Sequence, residues 1–310
     1  MVDFSSFKLF LDKNGISYLE YEPMREHTSF KIGGPARFFV MPDDADELSR
    51  VLSTVKETGL EHYILGKGTN VLFDDEGYNG AVISTLSLDK IEIDGGSVTA
   101  GAGVSVTALS RSAMESGLSG LEFAYGIPGS VGGAVFMNAG AYDGEVSFVL
   151  EESRYIDTRD LSVHTLDAAD HDFSYRHSSY KDHPERIIIE ARFDLARKDR
   201  DTIKAKMDDF MDRRRTKQPL EYPSAGSVFK RYPGRYTAQM IDEARLKGAS
   251  VGGAAVSEKH AGFIINKGGA TCQDVLTLVD MIKSRIRETF GIEIECEIIH
   301  VGKGGAPYGK

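Results

Sequence analysis

Residues 125–142 read YGIPGSVGGAVFMNAGAY, five glycines within eighteen positions. No regular helix or strand tolerates that density freely, because each interior glycine costs roughly 0.5–1 kcal/mol relative to alanine. The segment also holds Pro128, Ser130 and Asn138, and is expected to be backbone held close to something flat or anionic. A glycine-rich loop packed on itself is the plainer alternative. A shorter segment, LGKGTNVLF at residues 65–73, has the same character. It follows an apolar strand-like run, and its glycines allow main-chain amides to ring a phosphate oxygen that side chains would otherwise obstruct. It is neither a Walker loop, since the GxxxxGK[ST] spacing is absent, nor a dinucleotide GxGxxG. A tight turn remains open for it as well.

The glycine-rich part sits in a stretch of short β-type runs: ARFFVMP, HYILG, GAVIST, KIEI, SVTAG and RIIIEARFDL. Helical patterns punctuate it. MVDFSSFKLFLDKNG reads as an amphipathic helix rather than a secretory signal, for it lacks a basic start followed by an unbroken apolar run. In DDADELSRVLSTVKETG the residues Leu48, Val51, Leu52 and Val55 recur at helical spacing, with Asp43 or Asp44 as N-cap and Gly59 as C-cap. Leu109, Ala113 and Met114 mark a weaker helix ending near Gly117. Beyond Asp199 the texture changes. Ile203, Met207, Phe210, Met211 and Arg214 form a helical stripe that Pro219 stops, and CQDVLTLVDMIKSRIRETFG predicts a long helix closed by Gly291. The alternating run IEIECEIIHV predicts a final strand. These changes predict two domains, residues 1–198 and 199–310, in a chain long enough at 310 residues for two cores.

Composition narrows the function classes. A net charge of −10 gives no overall support for nucleic-acid binding, yet KAKMDDFMDRRRTKQP is a local basic cluster that points to a bound anion. No apolar run approaches the ~20 residues of a membrane span. The two cysteines, Cys272 and Cys296, form no CxxC and accompany no histidine cluster, so neither a disulfide scaffold nor a metal site is expected. A reducing cytoplasm fits this usage. Cys272 sits beside a helix N-cap, Cys296 is expected to be buried in the last strand, and neither has an expected redox role.

HTSFKIGGPARFFV, LGKGTNVLF, GIPGSVGGAVFMNAGAY, FSYRHSSYK, RRRTKQPLEYPSAGSVFK, LKGASVGGAAVSEKHAGFIIN and ECEIIHVG follow one another along the chain. In that order they resemble the UDP-N-acetylenolpyruvoylglucosamine reductases of peptidoglycan synthesis, from about Pro23 to Gly302. The chain's length and its LEYPSAGSVFK form are closest to the shorter type without an extra substrate-capping loop. The resemblance implies an α+β fold: an FAD-binding domain of the PCMH or vanillyl-alcohol-oxidase type and a smaller C-terminal α/β substrate-binding domain. It also implies non-covalent FAD, NADPH as co-substrate, UDP-N-acetylglucosamine enolpyruvate as acceptor, and a cytoplasmic location. Gly66, Lys67, Gly68, Thr69, Asn70 and Val71 of the first loop would hold FAD. So would Gly126, Pro128, Gly129, Ser130, Gly132, Gly133, Asn138, Ala139, Gly140 and Ala141 of the second. Two departures from the family pattern are local: His27-Thr28 stands where many relatives have Asn-Thr, and His177 where some have Asp.

By the same resemblance Arg176, Ser227 and Glu297 are the catalytic residues, drawn from three separated segments. Hydride addition to the β-carbon of an enolpyruvyl ether leaves negative charge on the α-carbon, spread into the carboxylate. Arg176 would stabilise that charge with a planar fork of donors. Glu297 would donate toward the same group when protonated, or orient Arg176 or a water. Ser227 would then give its proton to the α-carbon, a strongly basic acceptor that needs no activating histidine. Arg214, Lys217, Lys247 and His260 are the expected phosphate or sugar contacts. Read without the resemblance, Arg176 suits a surface ion pair, Glu297 an outward strand position and Ser227 a turn cap. A flavin oxidase of the same fold and a non-catalytic flavin or nucleotide-sugar binder are the competing classes. The oxidase would call for an oxygen-accessible flavin and often a His or Cys tether, and the glycine-rich segments offer neither in place.

Overall fold

The computed structural model describes residues 2–142 and 144–302, and the backbone of residues 307–308. They form two compact units, neither of them one continuous stretch of chain. Unit 1 takes residues up to 19, 39–67 and 81–213, and unit 2 takes 20–38, 68–80 and 214 onward. A contiguous division at residue 198, expected from texture, differs from this partition because residues 20–38 and 68–80 make their contacts with the C-terminal stretch.

Unit 1 is built on a five-stranded antiparallel sheet with the spatial order Val163–Asp167, Leu150–Asp157, Arg186–Asp194, Ser97–Gly101 and Ile91–Asp94. Ser153 sits on the second of these strands, opposite Leu166 on one side and Ala191 on the other. Helices α1 (Phe4–Asn14) and α2 (Ala45–Thr58) form where capping and apolar spacing predict them. Asp44 accepts from the Glu47 amide at 2.8 Å, and Gly59 closes α2 at φ +64. Leu48, Val51, Leu52 and Val55 are buried, each contributing roughly 1.5–3 kcal/mol relative to exposure. Helix α3 spans Val106–Glu115.

Part of the glycine-rich segment is more regular than its composition predicts. Val131–Phe136 forms a short helix, α4, containing Gly132 and Gly133. The reason is close packing: the Gly132 amide donates to the Ala102 carbonyl at 2.9 Å, and a Cβ on Gly132 would stand 3.0 Å from that of Ala102. Helix α5, Arg200–Lys217, stacks Phe210 on Tyr142 with ring centroids 4.6 Å apart.

Unit 2 holds a four-stranded antiparallel sheet in the order Ser224–Ser227, Phe263–Asn266, Ala254–Val256 and Ser250–Val251. Two helices accompany it, α6 (Thr237–Glu243) and α7 (Cys272–Phe290). Val275, Leu278, Val279, Ile282 and Ile286 of α7 are buried in this unit's core with Phe30 and Leu72. The α7 N-terminus is satisfied by carboxylates: Thr271 and Asp274 form a capping box, while Asp75 accepts from the amides of Cys272 and Gln273 at 2.7 and 3.0 Å. Cys272 is thus the first helical residue, and Gly291 ends the helix at φ +67. Val71–Phe73 pairs in parallel with Ile299–Val301.

The alternating run IEIECEIIHV becomes strand only at Ile299–Val301. Its earlier part makes local main-chain bonds instead: Lys230 N–H to the Glu295 carbonyl, a single bridge between Phe229 and Cys296, and Glu297 N–H to the Val228 carbonyl. Cys296 is half-buried there.

Candidate active site

The first glycine-rich segment passes from unit 1 into unit 2 after Lys67, and the second lies in unit 1. A Cβ on Gly66 would lie 2.2 Å from Ser130 Oγ, so the first loop reaches the second only without a side chain. Ser130 is buried, and Val106 N–H donates to the carbonyl of Gly129 at 3.0 Å. Gly133 is different: it is exposed, and a Cβ there would meet only Ser130 Oγ, at 3.4 Å. Among the described residues the backbone amides of Lys67, Gly68 and Thr69 donate to no acceptor. Main-chain donors left for a ligand or solvent, in a loop that bears φ +59 at Gly68, fit the pyrophosphate of FAD.

The fully buried Asn138 serves the protein itself. Its Nδ2 donates to Glu145 Oε1 at 3.0 Å and to the Ser174 carbonyl at 3.1 Å, and its Oδ1 accepts from the Ser147 amide at 3.0 Å. Both amide hydrogens are therefore spent within the protein, one on Glu145 and one on tying the end of the second segment to the chain that carries Arg176. Gly140 is likewise fixed by packing, since a Cβ would stand 2.7 Å from the Cβ of Glu145.

Arg176 occupies the third position of a tight turn in which Ser174 and His177 exchange main-chain hydrogen bonds of 3.3 and 3.1 Å. Its φ is +58, where glycine or asparagine is the usual occupant. An arginine held in that conformation costs of order 1–3 kcal/mol, an outlier that points to a required side chain. Arg176 Nη2 donates to the Gly140 carbonyl at 3.2 Å, its guanidinium carbon is 5.1 Å from the Tyr175 ring centroid, and Lys181 Nζ donates to the Arg176 carbonyl at 2.7 Å. On the outer side of the same turn His177 Nε2 stands 3.2 Å from Asp182 and 3.8 Å from Asp172.

Unit 2 holds the other two expected catalytic residues on segments whose main chains are neighbours. Ser227 ends the strand Ser224–Ser227, in register with Phe263. Gly226 before it has φ +76, with open space where a side chain would stand, so backbone conformation rather than crowding calls for glycine. Val228, immediately after Ser227, donates to the Gly262 carbonyl at 2.9 Å and accepts from the Glu297 amide at 2.7 Å. Asn70 Nδ2 closes this arrangement on the Glu297 carbonyl at 3.2 Å. Segments far apart in sequence are thereby neighbours, and Asn70 of the first glycine-rich loop acts here as a support for Glu297.

The expected substrate contacts have unequal environments. Arg214 is buried on α5, and Lys217 is exposed at its last position. Lys247 pairs with Asp242 at 2.7 Å. His260 is half-buried; burial pushes its pKa down, and its Nδ1 accepts from the Gly262 amide at 3.2 Å, leaving Nε2–H as the ring's donor. A cleft of about 670 Å³ within unit 2 is lined by Arg25, Lys31, Asp75, Tyr222 and the 266–271 loop, and contains none of the residues expected to react. Sequence reading did not anticipate Lys181, Ser153, His171 or Tyr180, although FSYRHSSYK contains two of them.

Two family models match the chain: an FAD binding domain over residues 36–165, and the UDP-N-acetylenolpyruvoylglucosamine reductase C-terminal domain over residues 218–301. The chain is 45% identical over 303 residues to the UDP-N-acetylenolpyruvoylglucosamine reductase of Caldicellulosiruptor bescii, covering 97% of this chain and 96% of that one. It is 45% identical to the enzyme of that name from Clostridium botulinum, covering 91% and 92%. Among solved structures the reductase of Thermus caldophilus is similar with a TM-score of 0.78 at 33% identity, covering 92% of this chain and 98% of that one. Matched by an FAD-binding and a reductase C-terminal family model, and similar to named reductases along nearly its whole length, this chain belongs to the UDP-N-acetylenolpyruvoylglucosamine reductase family and is an FAD-dependent oxidoreductase.

Proposed function

We propose that the chain reduces UDP-N-acetylglucosamine enolpyruvate to UDP-N-acetylmuramate at the expense of NADPH, in the cytoplasm, as a step of peptidoglycan precursor synthesis. The names of its relatives support the substrate. The observation that carries the reading is the main-chain bond from Glu297 to Val228, which sets the segment of the proposed proton donor Ser227 beside that of the proposed carboxyl group. No helix among the described residues is long and apolar enough to cross a membrane.

Bound FAD supplies a two-electron hydride carrier between NADPH and the enolpyruvyl group. The chain's own residues handle the charge and the proton. Arg176 offers a permanently charged, planar donor fork to the substrate carboxylate, on which charge grows as the β-carbon is reduced. Ser227 donates its proton to the α-carbon, and Glu297 donates to or orients the carboxylate end. Arg214, Lys217 and His260 contribute charge and hydrogen-bond donors for the diphosphate and sugar, and Lys247 adds charge while balanced by Asp242. Lys67, Gly68 and Thr69 would give their amides to FAD, and the exposed Gly133 would give it room.

The test follows the visible flavin band of purified holoenzyme without oxygen. NADPH should bleach it and UDP-N-acetylglucosamine enolpyruvate should restore it. A bleached band that ignores the sugar nucleotide and returns only with air would replace the reductase reading by an oxidase.

A further inference from the structure

Beneath the Arg176 turn lies a chain of buried polar groups that the reaction does not use. Ser153 Oγ is 2.8 Å from His171 Nε2 and 2.6 Å from the Tyr180 hydroxyl, and His171 Nδ1 is 2.8 Å from the Asp167 carbonyl. All three side chains are at most 1% exposed. A Ser–His pair at this distance has the atoms of a nucleophilic dyad, but a hydroxyl closed off from solvent admits no substrate.

The direction of every bond can be assigned. The Asp167 carbonyl only accepts, so Nδ1 carries a proton. Burial pushes the His171 pKa down, so the ring is neutral and Nε2 accepts from Ser153 O–H. Ser153 oxygen then accepts from Tyr180 O–H, whose pKa burial pushes up to about 12. The order of donation runs Tyr180 to Ser153 to His171 to the Asp167 carbonyl, with each proton used once.

Its position in the fold gives the chain its role. Ser153 is on a sheet strand paired on both sides, whereas His171 and Tyr180 stand at the two feet of the loop 172–179 that carries Arg176. The His171 ring also stacks on Phe173 at 4.8 Å and meets Tyr180 edge-on at 5.8 Å. We infer that Ser153, His171 and Tyr180 are positioning residues for Arg176, pinning both feet of its loop to the sheet so that the guanidinium stands at one height. The inference rests on Arg176 acting in the reaction, as proposed above.

Anaerobic stopped-flow on the holoenzyme separates the two claims. Tyr180→Phe, which removes one oxygen and no ring volume, should slow flavin reoxidation by UDP-N-acetylglucosamine enolpyruvate by roughly 10- to 100-fold while flavin reduction by NADPH stays within about twofold. Combined with Arg176→Ala, it should add almost nothing, because its effect passes through the arginine. Full additivity of the two substitutions would overturn the inference. Wild-type reoxidation in Arg176→Ala alone would instead overturn the arginine's proposed role. Amide exchange in residues 172–178 gives a reading independent of activity: it should quicken in Tyr180→Phe and in Ser153→Ala, and unchanged exchange in Tyr180→Phe defeats the clamp whether or not Ser153→Ala folds.

Discussion

The Arg176 turn of unit 1 and the Ser227–Glu297 neighbourhood of unit 2 are held by different kinds of bond. Around Ser227 the ties are mostly main chain to main chain, Val228 to Gly262, Glu297 to Val228 and Lys230 to Glu295, with Asn70 Nδ2 on the Glu297 carbonyl and Lys230 Nζ on Glu295 added to them. Around Arg176 they are largely side-chain bonds, from Asn138 to the Ser174 carbonyl, from Ser178 Oγ to the Phe136 carbonyl, from Lys181 to the Arg176 carbonyl, and through the buried Ser153 chain below. Backbone ties survive the loss of a side chain, whereas side-chain ties vanish with a single substitution. The serine and glutamate can therefore be altered with little change in geometry, and the arginine can be displaced by changes that never touch it.

The largest effect that tests this contrast is chemical. Ser227→Ala should lower the rate of flavin reoxidation by the sugar nucleotide roughly 10²- to 10⁴-fold, the range of a general acid, with thermal stability within about 0.5 kcal/mol of the parent. A large loss of stability in that variant, read from thermal unfolding, would break the claim that mainly backbone holds this part. Asn138→Ala should do the reverse kind of damage. It strands the Ser147 amide and takes one of two donors from the Ser174 carbonyl and from Glu145, at a cost of roughly 1–3 kcal/mol from unfolding curves, and slows reoxidation as the Arg176 turn loosens.

A smaller effect comes from pH. His171 has its pKa pushed below the ordinary 6.5 first by burial, against the opposing pull of the Asp167 and Ala168 carbonyls and the charges of Asp170 and Asp167. The folded chain keeps this ring neutral while the unfolded chain protonates it, so its contribution to stability is complete above about pH 6.5 and is lost as pH falls below that value. Replacing His171 by Gln should flatten this part of the stability profile between about pH 7 and 5 in calorimetry. The smallest effect should come from the outer side of the turn. Asp172→Asn removes an exposed carboxylate 3.8 Å from His177 Nε2 and should change stability by less than about 0.5 kcal/mol and the reoxidation rate hardly at all. A strong effect there would move the restraint on Arg176 from the buried chain to the surface.

The elements most legible from sequence are those whose information is local. Helix α2 has Asp44, Gly59 and its apolar face where capping and period place them, and α7 keeps the predicted face down to Ile286. Legibility failed where a distant partner decides. The run at 292–301 alternates like a strand, but for most of its length it meets short main-chain partners in the 228–230 segment and not a continuous strand. Gly132 lies in a helix where Ala102, far from it in the chain, needs a neighbour without a side chain. The family motifs drew attention to Arg176, Ser227 and Glu297 together, while Ser153 and His171 carry no local mark at all: a serine in a strand and a histidine after an acidic residue look ordinary until burial joins them.

By itself, the sequence determined the chemistry on offer: glycine-rich backbone for a diphosphate, an arginine set among tyrosines and serines, and a serine with no base beside it in the chain. Those properties are local, because residue type and spacing govern φ preference, capping and charge. Only the tertiary structure decided what each group is free to do. It spent Asn138 on the Arg176 turn, set Asn70 against Glu297, and closed a Ser–His pair off from every substrate. Hydrogen-bond partners and burial depend on chain segments that sequence order does not bring together, and for a polar side chain those two quantities separate a reacting group from a structural one.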